Sequence, residues 1–178
     1  MNEHDDAFPP YTYVPGLGRP HPVSSPFGHS YQVRRPPAEP IGAGDWSGSR
    51  EFIRGIKLFN AGFYWEAHEE WERLWHAHGR SGPIADLLKA LIKLAAAGVK
   101  VRQEQPAGVV VHARRAADLF LKIHNQTQEH MLLGLNLTRC AELARSIADR
   151  PPLDPIGRDA VVGPVFRFQI EPEPITPS

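Results

Sequence analysis

The chain has 178 residues, the length of one domain with room for tails. Twenty Lys and Arg balance twenty Asp and Glu. The basic excess needed for non-specific binding to nucleic acid or to an anionic membrane is therefore lacking. A hydrophobic share of 42% is enough for a packed core. The one cysteine, Cys140, excludes an intramolecular disulfide and a zinc site built from several cysteines of one chain. The longest apolar run, 94–99, falls far short of the roughly 20 residues that span a bilayer. Residues 1–6 are acidic, unlike the basic start of a secretory signal. The expectation is a cytoplasmic protein that binds neither membrane nor nucleic acid.

Proline divides the chain. Residues 1–45 hold nine of the 18 prolines, 46–150 hold two and 151–178 hold seven. Because proline removes a backbone donor and disrupts helix interiors, the middle block can be helical and the flanks cannot. This gives three parts: a Pro/Gly-rich arm over 1–45, a helical domain over 46–150 that should fold alone, and a Pro-rich tail over 151–178. The arm carries Tyr11, Tyr13, Phe27 and Tyr31, more aromatics than a linker needs. It is read as packing extended against the bundle, with a disordered tail as the alternative.

The middle block predicts five helices in an all-α bundle. The first covers about 49–61, with Phe52, Ile53, Ile56 and Phe59 on one side and Gly62 as its stop. The second covers about 63–78 and stops at Gly79. The third runs from Pro83 to about 102 and the fourth from Pro106 to about 124, each proline in the tolerated first turn. The fifth covers about 137–148, capped by Asn136 and stopped by Pro151 and Pro152. No strand is expected, since Gly163 and Pro164 break the β character of 161–170.

The third helix is apolar around most of its circumference, so other helices should surround it. Its lysines, Lys89, Lys93 and Lys100, form one stripe. That stripe reads as a solvated face, with an anion site as the alternative.

The chemistry concentrates on the second helix. At about 100° per residue, Tyr64, Ala67, Trp71, Leu74 and Trp75 share a broad arc, and His68 falls within it. Glu72 lies one turn beyond His68, Glu69 lies at the edge, and Glu66, Glu70 and Arg73 fall on the opposite, wet side. A carboxylate inside an aromatic face needs a hydrogen bond or a metal. The bland reading is a structural pair in which Glu72 orients His68. The alternatives are acid/base catalysis by His68, Glu69 and Glu72, or a divalent metal held by His68, Glu72 and His112. His112 lies on the apolar face of the fourth helix with Val109, Ala113, Ala116, Leu119, Phe120 and Ile123.

Other chemistries are excluded. The zinc-protease motif needs a second His where this chain has Glu72. There is no phosphate-binding glycine loop and no nucleophile elbow. Cys140 reads as a small core residue. His76 and His78 end the second helix, where protonated histidine suits the helix dipole.

The run Phe59-Asn60-x-Gly62-x-Tyr64-Trp65-Glu66-Ala67-His68-Glu69-x-x-Glu72-x-x-Trp75, then 91–97 and Gly108, resembles the family known as domain of unknown function 309 (DUF309). The likeness covers roughly 50–150, and 133–136 is similar to that family's approach to its last helix. It implies a small all-α bundle of prokaryotes and plastids, with Asn60, His68, Glu69, Glu72 and Trp75 as its motif residues and no established activity. The chain departs from the pattern at Lys93, where the family often has Gln.

Two functions compete. One is a structural or interaction module that binds a protein partner or its own copy. The other is a metal-assisted or acid/base hydrolase using His68, Glu69 and Glu72.

Overall fold

The computed structural model describes residues 7–42, 44–153 and 161–174. Five α-helices form the bundle: α1 Arg50–Asn60, α2 Tyr64–Ala77, α3 Pro83–Arg102, α4 Pro106–Thr127 and α5 Leu137–Asp149. A single 3₁₀ turn, Trp46–Gly48, precedes α1. Pro83 and Pro106 both open their helices, where a missing N–H costs nothing. Asn136 caps α5, its side-chain Oδ1 accepting from Arg139 N at 3.0 Å.

Besides that 3₁₀ turn, the sequence did not announce a hairpin. β1 Met131–Leu132 pairs antiparallel with β2 Leu135–Asn136. Leu133 and Gly134 between them have φ of 49° and 73°, the two positive values that a tight two-residue hairpin turn requires. Only Gly134 hinted at it. Leu133 holds this left-handed conformation with its side chain buried in the core.

α3 is the central element. It packs against α2 on one side and α4 on the other, with α1 beyond α2 and α5 beyond α4. Small residues set the close approaches. A Cβ at Gly98 would overlap the Tyr64 ring, and one at Gly55 would overlap the Trp71 indole. Trp71, Tyr64, Phe52 and Phe59 are the largest fully buried side chains.

Both flanks fold back onto this bundle. The arm packs, as one of its two readings had it, but as a series of turns rather than an extended strand. Phe8 stacks on Phe63 at 5.2 Å between ring centroids, and Tyr13 and His21 both meet Trp65 edge-on at 5.3 Å. Val14 and Ile41 are buried. On the tail, Val165, Phe166 and Ile170 join the core. Phe166 lies against Phe59 and Tyr64 at 5.7 and 5.3 Å.

The arm overturns the wet side expected for α2. Glu66 and Glu70 are only 5% and 4% exposed. Glu66 accepts from Tyr13 N and Thr12 Oγ1 at 2.8 and 2.7 Å. Glu70 accepts two bonds from Arg35, at 2.6 and 2.9 Å, and also faces Arg54 at 3.3 Å. A helical wheel sees one helix only. It cannot anticipate that a segment 35 to 54 residues upstream supplies the donors that make burial of two carboxylates tolerable. Among the described residues, no helix is long and apolar enough to cross a membrane.

Candidate functional site

On α2, Glu72 and Trp75 lie toward Lys93 and Lys89 of α3, whereas Glu69 also lines the cleft under the arm with Glu66 and Glu70. His68, Glu69 and Glu72 are half-buried, and each offers a ligand atom within 4.8 Å of the others. His68 Nδ1 approaches Glu69 Oε1 at 3.5 Å, too long for a good hydrogen bond. The expected hydrogen bond between His68 and Glu72 is not made. His68 turns toward the adjacent carboxylate, while Glu72 sits in the field of Lys93 on α3. His68 Nδ1 is closed to solvent and has no hydrogen-bond partner. The aromatic arc is likewise divided: Trp71 is fully buried, whereas Trp75 is half-buried beneath the Arg80 and Lys89 cations, at 5.4 and 5.9 Å from its ring centroid.

α3 and α4 bring the rest of the face. The lysine stripe is not uniformly solvated: Lys89 is exposed, but Lys93 and Lys100 are half-buried. α4 packs along α3, and the Lys100 stem lies where a Cβ of Gly108 would be. Lys100 satisfies its ammonium with Gln103 and Gln105, both at 2.9 Å. Lys93 has no such partner. Burial first, then the Arg115 and Lys89 charges, lower its pKa, with Glu72 opposing them. His112 Nδ1 is buried and unpartnered. Burial holds its imidazole below the ordinary value, and the charges of Lys93, Lys100, Arg115 and His68 act in the same direction. His112 stands outside the group of three clustered donors.

Partnering sets this face apart. Among the described residues, half-buried or buried ionic and imidazole side chains almost all have a hydrogen bond or an ion pair. Glu66, Glu70, Arg73, Asp86 and Lys100 are examples. Those with neither are Glu72, Lys93 and His112, and all three fall here. Exposed ionic groups are satisfied by water, but half-buried ones pay a desolvation cost that only a partner returns.

The remaining candidates have structural work. Asn60 clamps the backbone of Ile170, donating to its carbonyl at 2.9 Å and accepting from its N–H at 2.8 Å. Tyr64 accepts from Val165 N at 2.8 Å. His78 does not serve the helix dipole as a cation. Its Nε2 accepts from Ile41 N at 2.9 Å, so the ring is neutral, and burial lowers its pKa. His76 Nδ1 likewise faces Arg80 Nε at 3.0 Å. Burial pushes the Cys140 thiol up to about 11, which leaves it protonated and unreactive.

The motif residues and the bundle now stand in three dimensions. Residues 52–111 match the family model described as Domain of unknown function (DUF309). The DUF309 match takes in nearly all of α1, all of α2 and α3 and the start of α4, and so includes His68, Glu69, Glu72 and Lys93. It ends one residue before His112. The resemblance expected over roughly 50–150 is thus supported over 52–111, in a helical domain that carries a His/Glu/Glu cluster. No curated protein matches the chain. The sequence already placed Lys93 in a stripe with Lys89 and Lys100; what it did not show is that Glu72 of α2 and Arg115 of α4 act on Lys93.

Proposed function

We propose that this protein is a non-enzymatic interaction module that receives a polar partner on the face made by α2, α3 and α4. One observation carries the reading. Among the described residues, Glu72, Lys93 and His112 are half-buried without hydrogen bonds or ion pairs. Unpartnered desolvated groups cost stability, and such a cost is commonly kept where binding needs it. The flanks support the same reading, because they pack on other surfaces. The arm covers the Glu66–Glu70 side of α2, and the tail covers Asn60 and Tyr64. The partner's polar atoms supply what the chain lacks, whether a protein or a second copy presents them or a small molecule brings them. A cytoplasmic location fits the single half-buried cysteine.

The test is stability without any ligand. Lys93→Met, His112→Leu and Glu72→Met conserve approximate volume and remove the unpartnered group. The melting midpoint of the full chain should stay level or rise in each. A clear fall in all three would make the groups structural and overturn the reading.

The hydrolase reading has one specific observation of its own, the three donor atoms of His68, Glu69 and Glu72 within 4.8 Å. Elemental analysis of untagged protein separates the two readings. About one Zn, Mn or Fe per chain, lost in His68→Phe, would favour metal-assisted chemistry, since a His and two carboxylates suit those ions.

A further inference from the structure

We propose that the cleft between the arm and the α1–α2 pair binds a small organic ammonium, an apolar ring or chain that carries one amine. The inference stands apart from the α2–α3–α4 face and uses none of Glu72, Lys93 and His112.

The cleft has a volume of about 600 Å³, within the range of small-molecule sites. Its apolar lining is assembled from distant parts of the chain: Phe8, Val23 and Val33 on the arm, Leu58 on α1 and Trp65 on α2. Phe8, Val23 and Val33 remain 52%, 51% and 59% exposed. Single exposed apolar side chains are ordinary, whereas three gathered on one cleft mark a surface that gains by being covered.

The polar lining sets the sign of the ligand. Three arginines line the cleft, and each is already engaged. Arg35 gives two bonds to Glu70, at 2.6 and 2.9 Å. Arg54 faces Glu70 at 3.3 Å and donates to the Ala7 carbonyl at 3.2 Å. Arg73 donates to Glu51 at 3.4 Å and to the Pro36 carbonyl. Of the carboxylates in the lining, Glu70 holds Arg35 and Arg54, and Glu66 holds Thr12 and Tyr13. Glu69 keeps its capacity to accept: His68 Nδ1 stands off at 3.5 Å, and 40% of the Glu69 side chain is exposed. An anion would have to displace an existing ion pair, while an ammonium finds a carboxylate ready to accept.

His29 points the same way by a separate observation. Its side chain lines the cleft and is only 9% exposed, yet the buried Nε2 makes no hydrogen bond. Nδ1 lies 2.9 Å from Ser30 Oγ. When Nδ1–H donates to that hydroxyl, Nε2 is a bare acceptor, 3.4 Å from a second acceptor, Glu66 Oε1. Two acceptors so placed call for a donor that the chain does not supply there, and an amine brings N–H groups.

Calorimetric titration of the full chain with phenylethylamine tests the proposal. Phenylacetate and phenylethanol run beside it, keeping the ring and changing the head to an anion or a neutral hydroxyl. Saturable binding of a single amine per chain is expected, tighter than that of either comparison compound. Glu69→Gln should weaken the amine about fivefold, the scale of a partly exposed ion pair, and leave phenylethanol unaffected. Glu72→Gln should change nothing, since Glu72 does not line the cleft. Val33→Arg places bulk and positive charge at an exposed rim position and should remove binding. Val111→Arg makes the same change at an exposed position of α4 outside the lining and should leave binding intact. Absence of saturation by the amine overturns the proposal. So does phenylacetate or phenylethanol binding as tightly as the amine, which would deny charge recognition. Parental binding in Glu69→Gln or in Val33→Arg, or an equal loss in Glu72→Gln or Val111→Arg, would place the amine elsewhere and overturn it as well.

Discussion

The side-chain amide of Asn60 holds the main chain of Ile170 through both of its polar atoms, giving a bond of 2.9 Å and taking one of 2.8 Å. A residue at the end of α1 thus fixes a segment 110 positions away in the sequence. Asn60→Ala leaves a buried N–H and carbonyl unpaired, at a cost of about 1–3 kcal/mol. Urea unfolding should show that loss, and limited proteolysis should cut the 161–174 segment sooner. A change within the roughly 0.5 kcal/mol of surface substitutions would mean that the clamp carries no stability.

Glu70 gives the next test, because burial contradicts its place on a helical wheel. Glu70→Ala removes the carboxylate that the Arg35 guanidinium holds through two bonds. Arg35 keeps 31% of its side chain exposed, and solvent softens the penalty. The expected loss is about 1–3 kcal/mol. The arm should also loosen, read as increased fluorescence quenching of Trp65, which Tyr13 and His21 cover. An unchanged spectrum and stability would show that the arm does not depend on Glu70.

Trp71 and Trp75 are expected to separate. Trp71 is fully buried, so Trp71→Ala should cost roughly 3–5 kcal/mol through transfer and cavity. Trp75 is half-buried and meets two cations. Trp75→Ala should cost distinctly less, about 1–2 kcal/mol including a cation–π contribution. Equal losses in thermal melts would contradict the division of the aromatic arc.

His78 predicts a pH dependence. Its folded pKa lies below the ordinary 6.5 because burial disfavours the cation, and its Nε2 accepts from Ile41 N. The unfolded chain therefore binds the proton more readily. The contribution is fully present above pH 6.5 and is lost as the pH falls through the lowered folded value. His78→Gln keeps an acceptor that does not titrate. The melting midpoint of the parent should fall on acidification more steeply than that of the variant. Parallel curves would exclude His78 as the source.

The helical block also makes a prediction about the flanks. A fragment of residues 46–150 should still give a helical circular dichroism spectrum, because α1–α5 and most of the core lie inside it. It should melt below the full chain and bind a hydrophobic dye, since Phe59 and Tyr64 lose Phe166 and Val165. A fragment as stable as the full chain would mean the flank contacts contribute nothing.

The helices were legible because their signals are local. Proline spacing, the first-turn Pro83 and Pro106, the Asn136 cap and the apolar period each act within a few residues, and α3 was read to its limits. The DUF309 motif was legible for the same reason, being one continuous run through α2. What only the tertiary structure decided involves partners distant in sequence. The burial of Glu66 and Glu70 depends on Thr12, Tyr13 and Arg35, and the role of Asn60 depends on Ile170. The face at Glu72, Lys93 and His112 exists only because α2, α3 and α4 pack side by side. Whether a charge lies idle or is paired is a property of distance in space. Helical periodicity reports which side a residue occupies, and the fold alone decides what stands opposite.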